Sequence, residues 1–136
     1  MPLMADASIR KILNETRVIA MVGASEKPWR DSHSVMKYLL SRGYTVIPVN
    51  PNVGEILGVP CYPDLAAIPA RIDLVNVFRK SEAVLNIVEE AIRVGAPAIW
   101  LQLNVIDEKA AVLAEDKGLS VVMDRCIAVE HERLIG

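Results

Sequence analysis

Along this chain, short unbroken apolar runs alternate with longer stretches in which apolar residues recur every three or four positions. VIAMV (18–22) reads as a strand covered on both faces and TVIPV (45–49) as a second buried strand, while DLVNV (73–77), AIWLQ (98–102) and LSVVM (119–123) read as further strands. Pro48 lacks the N–H that a ladder uses, and Asn76 interrupts its run, so these two strands carry blemishes. Val35, Met36, Leu39 and Leu40 form one stripe at helical spacing; Val84, Ile87, Val88, Ala91 and Ile92 form a second. Ala110, Leu113 and Ala114 mark the inner side of a third helix, running from Asp107 as its cap to Lys117.

Small polar residues suggest where helices begin. Ser8 is expected to cap a short helix over residues 9–16, Ser32 or Ser34 the helix carrying Val35, and Ser81 the one that follows it. Gly43, Gly95 and Gly118 stand where left-handed caps close helices. Residues 50–54 read as a loop and 59–62 as a very short edge strand. LAAIP is at most a short helix, and the residues after Met123 read as a charged tail. The recurring order of helix, glycine and strand (RGYTVIPV, VGAPAIWL, KGLSVVM) is the grammar of βα units with parallel strands. It predicts one α/β domain over residues 1–136, a three-layer doubly wound parallel sheet with residues 1–16 as a helical extension. The strand at 18–22 should be central, between 45–49 and 73–77.

Composition narrows the class. The chain has 136 residues, 52% of them hydrophobic, with fifteen Lys and Arg against seventeen Asp and Glu and a net charge of -2. Mixed charge without a basic run offers nothing to nucleic acid, and no apolar run is long enough to cross a bilayer. Cys61 and Cys126 fall in no metal-ligand spacing, and MPLMADASIRK lacks the apolar core of a signal peptide. A reducing, cytoplasmic setting is therefore expected.

The candidate chemistry lies where the first strand ends, in MVGASEKPWRDSHSV (21–35). Gly23 lets a ligand oxygen approach the backbone, Ala24 is small, and Ser25 offers a hydroxyl. Ser32 and the first amides of the next helix add donors, and Arg30 and Lys27 can pair with phosphate. Equally, Gly23 and Ser25 can serve only to make a turn. A nicotinamide dinucleotide is disfavoured: its fingerprint needs glycines where Ser25 and Pro28 stand, and the second strand ends in VNPN rather than an acid.

GAS (23–25), RDSHSV (30–35), YLLSRGYTVIPVNP (38–51), GVPCYPDL (58–65), IDLVNVFR (72–79), IWLQLNV (99–105) and VVMDRC (121–126) span nearly the whole chain. In this order the chain resembles the small bacterial and archaeal CoA-binding proteins, themselves similar to the amino-terminal domain of the succinyl-CoA synthetase alpha subunit. The resemblance implies a Rossmann-like CoA-binding fold with coenzyme A as ligand. Gly23, Ala24 and Ser25, with Arg30 and Ser32 nearby, would line the phosphate region. Asn50 and Pro51, with Val77, Phe78 and Arg79, would frame the adenosine and the start of the pantetheine path. Phe78 also reads as core; Arg79, at a strand end near the crevice, can form paired bonds to phosphate, with a salt bridge to Glu82 as its structural alternative. Asn104 stands where the family usually has Gly, and Asn is the residue best able to replace it at positive φ.

The related ligase subunit uses a phosphorylated histidine from a later domain, and neither His33 nor His131 sits in that context. Cys126 reads as packing rather than nucleophile, Asp124 as a pocket-edge acceptor or the start of the tail, and Cys61 as chemically silent. Trp100 reads as core, and Trp29 as exposed or covering ligand. The expectation is a module that binds CoA or acyl-CoA without autonomous catalysis. A CoA-dependent ligase or transferase component needing another chain, and an interaction module without nucleotide, stand as alternatives. A homodimer or an unidentified protein partner is left open.

Overall fold

The computed structural model describes residues Met1–Gly136. In chain order its elements are α1 (Asp6–Glu15), β1 (Val18–Val22), α2 (Asp31–Ser41), β2 (Thr45–Val49), β3 (Glu55–Ile56), β4 (Val59–Pro60), β5 (Leu74–Val77), α3 (Val84–Val94), β6 (Ala98–Leu101), α4 (Glu108–Asp116), β7 (Ser120–Val122) and α5 (Ile127–Leu134). Five strands pair in parallel in the order β2-β1-β5-β6-β7, with β1 between β2 and β5 as the pattern predicts. The chain leaves β1 for β2 on one side and later returns to place β5 on the other. The exits of β1 and β5 therefore diverge, as in Rossmann-like sheets.

The pleat divides each apolar run between two cores. Ala20, Val22, Val75, Val77, Ile99 and Leu101 face α3 and α4, while Ile19, Met21, Leu74 and Trp100 face α1, α2 and α5. Burial on both faces explains why the strands show no alternation of polar and apolar residues. Pro48 is tolerated because β2 is an edge strand, and its carbonyl accepts from the Tyr62 N–H at 3.0 Å. Asn76 is fully buried: its Nδ2 donates to Gln102 Oε1 at 3.1 Å, while its Oδ1 has no partner.

Several expected caps are replaced. α1 starts at Asp6 with Ala5 in the cap position, so Ser8 lies inside the helix. α2 starts at Asp31, which places Ser32 and Ser34 in its first turns rather than at its cap. Ser81 opens a short 3-10 turn before α3, and its Oγ accepts from the Ile106 N–H at 3.0 Å instead of capping. Asp107 does cap α4, accepting from the Ala110 N–H at 3.0 Å. LAAIP forms a turn closed by Asp64 rather than a helix, and the expected edge strand at 59–62 is a small β3–β4 hairpin plus a bridge from Tyr62 to Val49.

The largest departure is at the carboxyl end, where the expected tail is α5, packed into the second core through Ile127. Its first N–H, from Ile127, is received by Gln102 Oε1 at 3.0 Å, and Arg133 clasps the Asp6 carboxylate with two bonds of 2.8 and 3.0 Å. His131 is only 4% exposed, with Tyr38 and Tyr44 presenting ring contacts to it. The Tyr38 hydroxyl gives its one proton to Glu132 at 3.0 Å and so accepts from His131 Nδ1 at 2.8 Å. Burial pushes the His131 imidazole below its ordinary value; the Arg42 guanidinium adds to this and Glu132 opposes it.

Folding thus favours neutral His131, and the unfolded chain binds the extra proton. Stability from this residue is complete above the ordinary value of 6.5 and declines as pH falls from there toward the lower folded value. The melting midpoint is expected to fall between about pH 7.5 and about pH 5.5, and His131→Gln, though less stable at the higher pH, to lose most of that fall. Parallel pH slopes for both proteins in scanning calorimetry would refute the assignment.

Candidate functional site

A cleft of about 710 Å³ opens at the carboxyl ends of β1, β2 and β5. Its floor is set by contacts between strand exits: Gly23 N–H donates to Val49 O at 3.1 Å, and Phe78 N–H to Val22 O at 2.8 Å. Gly23 has φ +86°, and a Cβ there would lie 2.3 Å from the Phe78 carbonyl oxygen. The glycine is required because protein backbone fills the space where its side chain would point, a role different from admitting a ligand oxygen.

Of the residues singled out in the sequence, Gly23, Ala24, Ser25, Lys27, Arg30 and Ser32 line the cleft from the β1–α2 side. Asn50 and Pro51 line it from β2, and Phe78 and Arg79 from β5. Val77 is the exception: it is fully buried in the core beneath α3 and outside the lining. Asn50 acts as a brace, its Nδ2 donating to Ala24 O at 2.9 Å and its Oδ1 accepting from the Asn52 N–H at 2.8 Å. Ser25 Oγ accepts from the Lys27 N–H at 3.1 Å, which makes the turn and leaves the hydroxyl proton to donate.

Donors converge at the start of α2. The N–H groups of Asp31 and Ser32 have no backbone partner, since the first bonds to Arg30 O come from His33 and Ser34. Ser32 is 5% exposed, lines the cleft, and its hydroxyl makes no hydrogen bond within the chain. Lys27, Arg30 and Arg79 are exposed and belong to no ion pair, so the alternative reading of Arg79 as a partner of Glu82 does not hold. Sequence reading missed Glu26 and Asp31, two carboxylates in the same lining; their position beside Lys27 and Arg30 is the only signal that could have placed them. Three cations still outnumber them, and free helix amides and the unpartnered Ser32 hydroxyl suit an anion.

Other polar residues lie apart from this chemistry. His131 sits behind α2 with Tyr38, and His33 is half-buried on α2. Burial pushes the Cys61 thiol up, only partly offset by backbone contacts from Asn50 and Tyr62, so at neutral pH it is protonated and a poor nucleophile. Cys126 occupies the α5 cap position. Asp124 Oδ1 accepts from the Asn104 N–H at 2.7 Å, with φ +61° and +69° at the two residues, so it pins the turn after β6. Trp100 is core and donates to Arg125 O at 2.8 Å; Trp29 is 76% exposed, with the Lys27 ammonium 6.0 Å from its ring centre. A second hollow of about 540 Å³, between α2 and α5, is apolar and offers no such set of donors.

Residues 17–132 match the model of a family described as the CoA binding domain. The chain belongs to that family. Relatives of this CoA-binding domain include the uncharacterized protein YneT of Bacillus subtilis (strain 168), 43% identical over 125 residues, covering 92% of this chain and 93% of YneT. A hypothetical protein from Pyrococcus horikoshii OT3 has the same fold, with a TM-score of 0.96 at 46% identity, covering 100% of this chain and 97% of that one. The ADP-forming acetate-CoA ligase I of Archaeoglobus fulgidus is 29% identical over 123 residues, covering 83% of this chain. The matched segment is 18% of that ligase's length, so the domain corresponds to one part of a larger enzyme. No helix of the CoA-binding domain is long and apolar enough to cross a membrane.

The Gly23–Phe78 contact yields a direct test. Gly23→Ala is expected to destabilise the fold by about 3 kcal/mol, from backbone overlap and the left-handed φ together. Urea unfolding with less than about 1 kcal/mol of change would show that the two loops can separate freely.

Proposed function

We propose that the protein holds coenzyme A or an acyl-CoA in the cleft above β1, β2 and β5, and acts as a binding module rather than an autonomous catalyst. The observation that carries this reading is the convergence of Ser32, the free amides of α2 and three unpaired cations on one hollow. Coenzyme A brings a diphosphate and a ribose phosphate, which take up both sets of donors. In this reading Ser25, Ser32 and Arg30 hold the diphosphate, and Lys27 adds positive charge at the lip. Asn50 and Pro51 border the adenosine, Phe78 borders the first part of pantetheine, and Arg79 reaches phosphate from the β5 side. Val77 contributes only by fixing the strand end from which Phe78 and Arg79 leave.

A binding role is supported by two polar side chains: the Cys61 thiol is held protonated, and His131 is engaged with Tyr38 away from the cleft. The second reading, a component completed by another chain, draws on the ligase in which the matching segment is 18% of the whole. Two free, half-buried cysteines fit the reducing cytoplasm in which we place the protein.

Titration calorimetry with CoA, dephospho-CoA, ADP and NAD tests the reading. CoA is expected to bind more tightly than NAD, and Arg30→Ala and Arg79→Ala each to weaken CoA by about tenfold, the scale of one charge-assisted bond to phosphate. Unchanged affinity in both variants would remove the proposed contacts, and clear binding of NAD with none of CoA would overturn the reading.

A further inference from the structure

Beyond the phosphate end, the carboxyl edge of the sheet changes character. The loop after β6 starts one strand over from the end of the cleft, because Gln102 N–H donates to Val77 O at 3.2 Å and neighbouring strands lie about 4.8 Å apart. This loop exposes Leu103 and Ile106, 58% and 44% accessible, while Val105 between them is buried. The outward placement is held from two sides. Asp124 fixes the Asn104 N–H at φ +69°, and Ser81 Oγ receives the Ile106 N–H at 3.0 Å. Leu85, 45% exposed, stands one turn past Ser81 at the start of α3. Single exposed apolar side chains are ordinary, but three of them on pinned backbone beside a ligand cleft mark a contact surface.

We propose that Leu103, Ile106 and Leu85 seat the acyl group of a CoA thioester, so that the ligand class of this site is acyl-CoA with an apolar chain rather than free CoA. The inference rests on the CoA reading above. Polarity along the sheet edge follows the ligand: hydroxyls and cations stand at the β1–α2 loop, the Phe78 ring and the Arg79 stem come next, and an apolar surface lies past β5. A diphosphate held at the first point sends its pantetheine arm across β5 toward β6. The group on its sulfur then meets Leu103 and Ile106, and Asp124 Oδ1 is taken up by the Asn104 N–H.

The test is calorimetric titration of the full chain with CoA, acetyl-CoA, butyryl-CoA and hexanoyl-CoA. Affinity is expected to rise with chain length, hexanoyl-CoA exceeding CoA by about tenfold or more, since burying two methylenes is worth roughly that factor. In Leu103→Ser/Ile106→Ser the ratio of the two dissociation constants is expected to fall toward one. Equal affinities across the series for the wild-type chain would overturn the inference while leaving CoA binding intact. A preserved ratio in the double variant would also overturn it, as would a change confined to self-association in sedimentation. Failure of every ligand to bind would overturn the CoA reading and this inference with it.

Discussion

The site depends on the close approach of two loops. Where β1 and β5 end, Gly23 packs against the Phe78 carbonyl with no room for a Cβ, and the Arg79 stem lies over the same spot. Parallel strands alone would bring their ends level, but this contact pulls the loop after β1 and the loop after β5 against one floor. Hydrogen bonds from Gly23 to Val49 and from Phe78 to Val22 then bind three strand exits into a rigid base. Donors mounted on such a base need little reordering when a ligand arrives, which lowers the entropic cost of binding.

The back of the sheet is held in a different way. α5 is short, and its docking uses a buried polar connection: Asn76 gives a hydrogen bond to Gln102, and the same oxygen of Gln102 receives the first N–H of α5. A buried amide with one oxygen unpartnered costs about 1–3 kcal/mol. That cost is set against a satisfied helix start, the bond from Trp100 to Arg125, and burial of Ile127. The clasp between Arg133 and Asp6 joins the two ends of the chain over this face, although both side chains are well exposed and water weakens the pair.

Electrostatics separates this cleft from a dinucleotide site on the same kind of sheet. Lys27, Arg30 and Arg79 line one cleft without ion-pair partners and outnumber Glu26 and Asp31 there, so the cleft favours an entering phosphate. At the end of β2 the chain offers Asn50, whose amide is spent on bracing Ala24, and no acid to receive ribose hydroxyls. Membership of the CoA-binding family and this distribution of charge agree, because coenzyme A carries a phosphate on the ribose where a nicotinamide dinucleotide carries hydroxyls.

The strands, the two strongest helices, the cap at Asp107 and the parallel order were legible in the sequence, because each follows from local periodicity or from the geometry of crossovers. So were most residues of the cleft, since a loop at a strand end must face the crevice whatever its details. What the sequence could not show depends on distant partners. α5 looked like a charged tail because its polar residues are satisfied by Tyr38, Arg42 and Asp6 from helices far back in the chain. Ser81 looked like a cap, yet its hydroxyl serves Ile106. Gly23 does line the cleft, but what demands a glycine there is the Phe78 carbonyl, and only the packing of two loops, more than fifty residues apart in sequence, shows that.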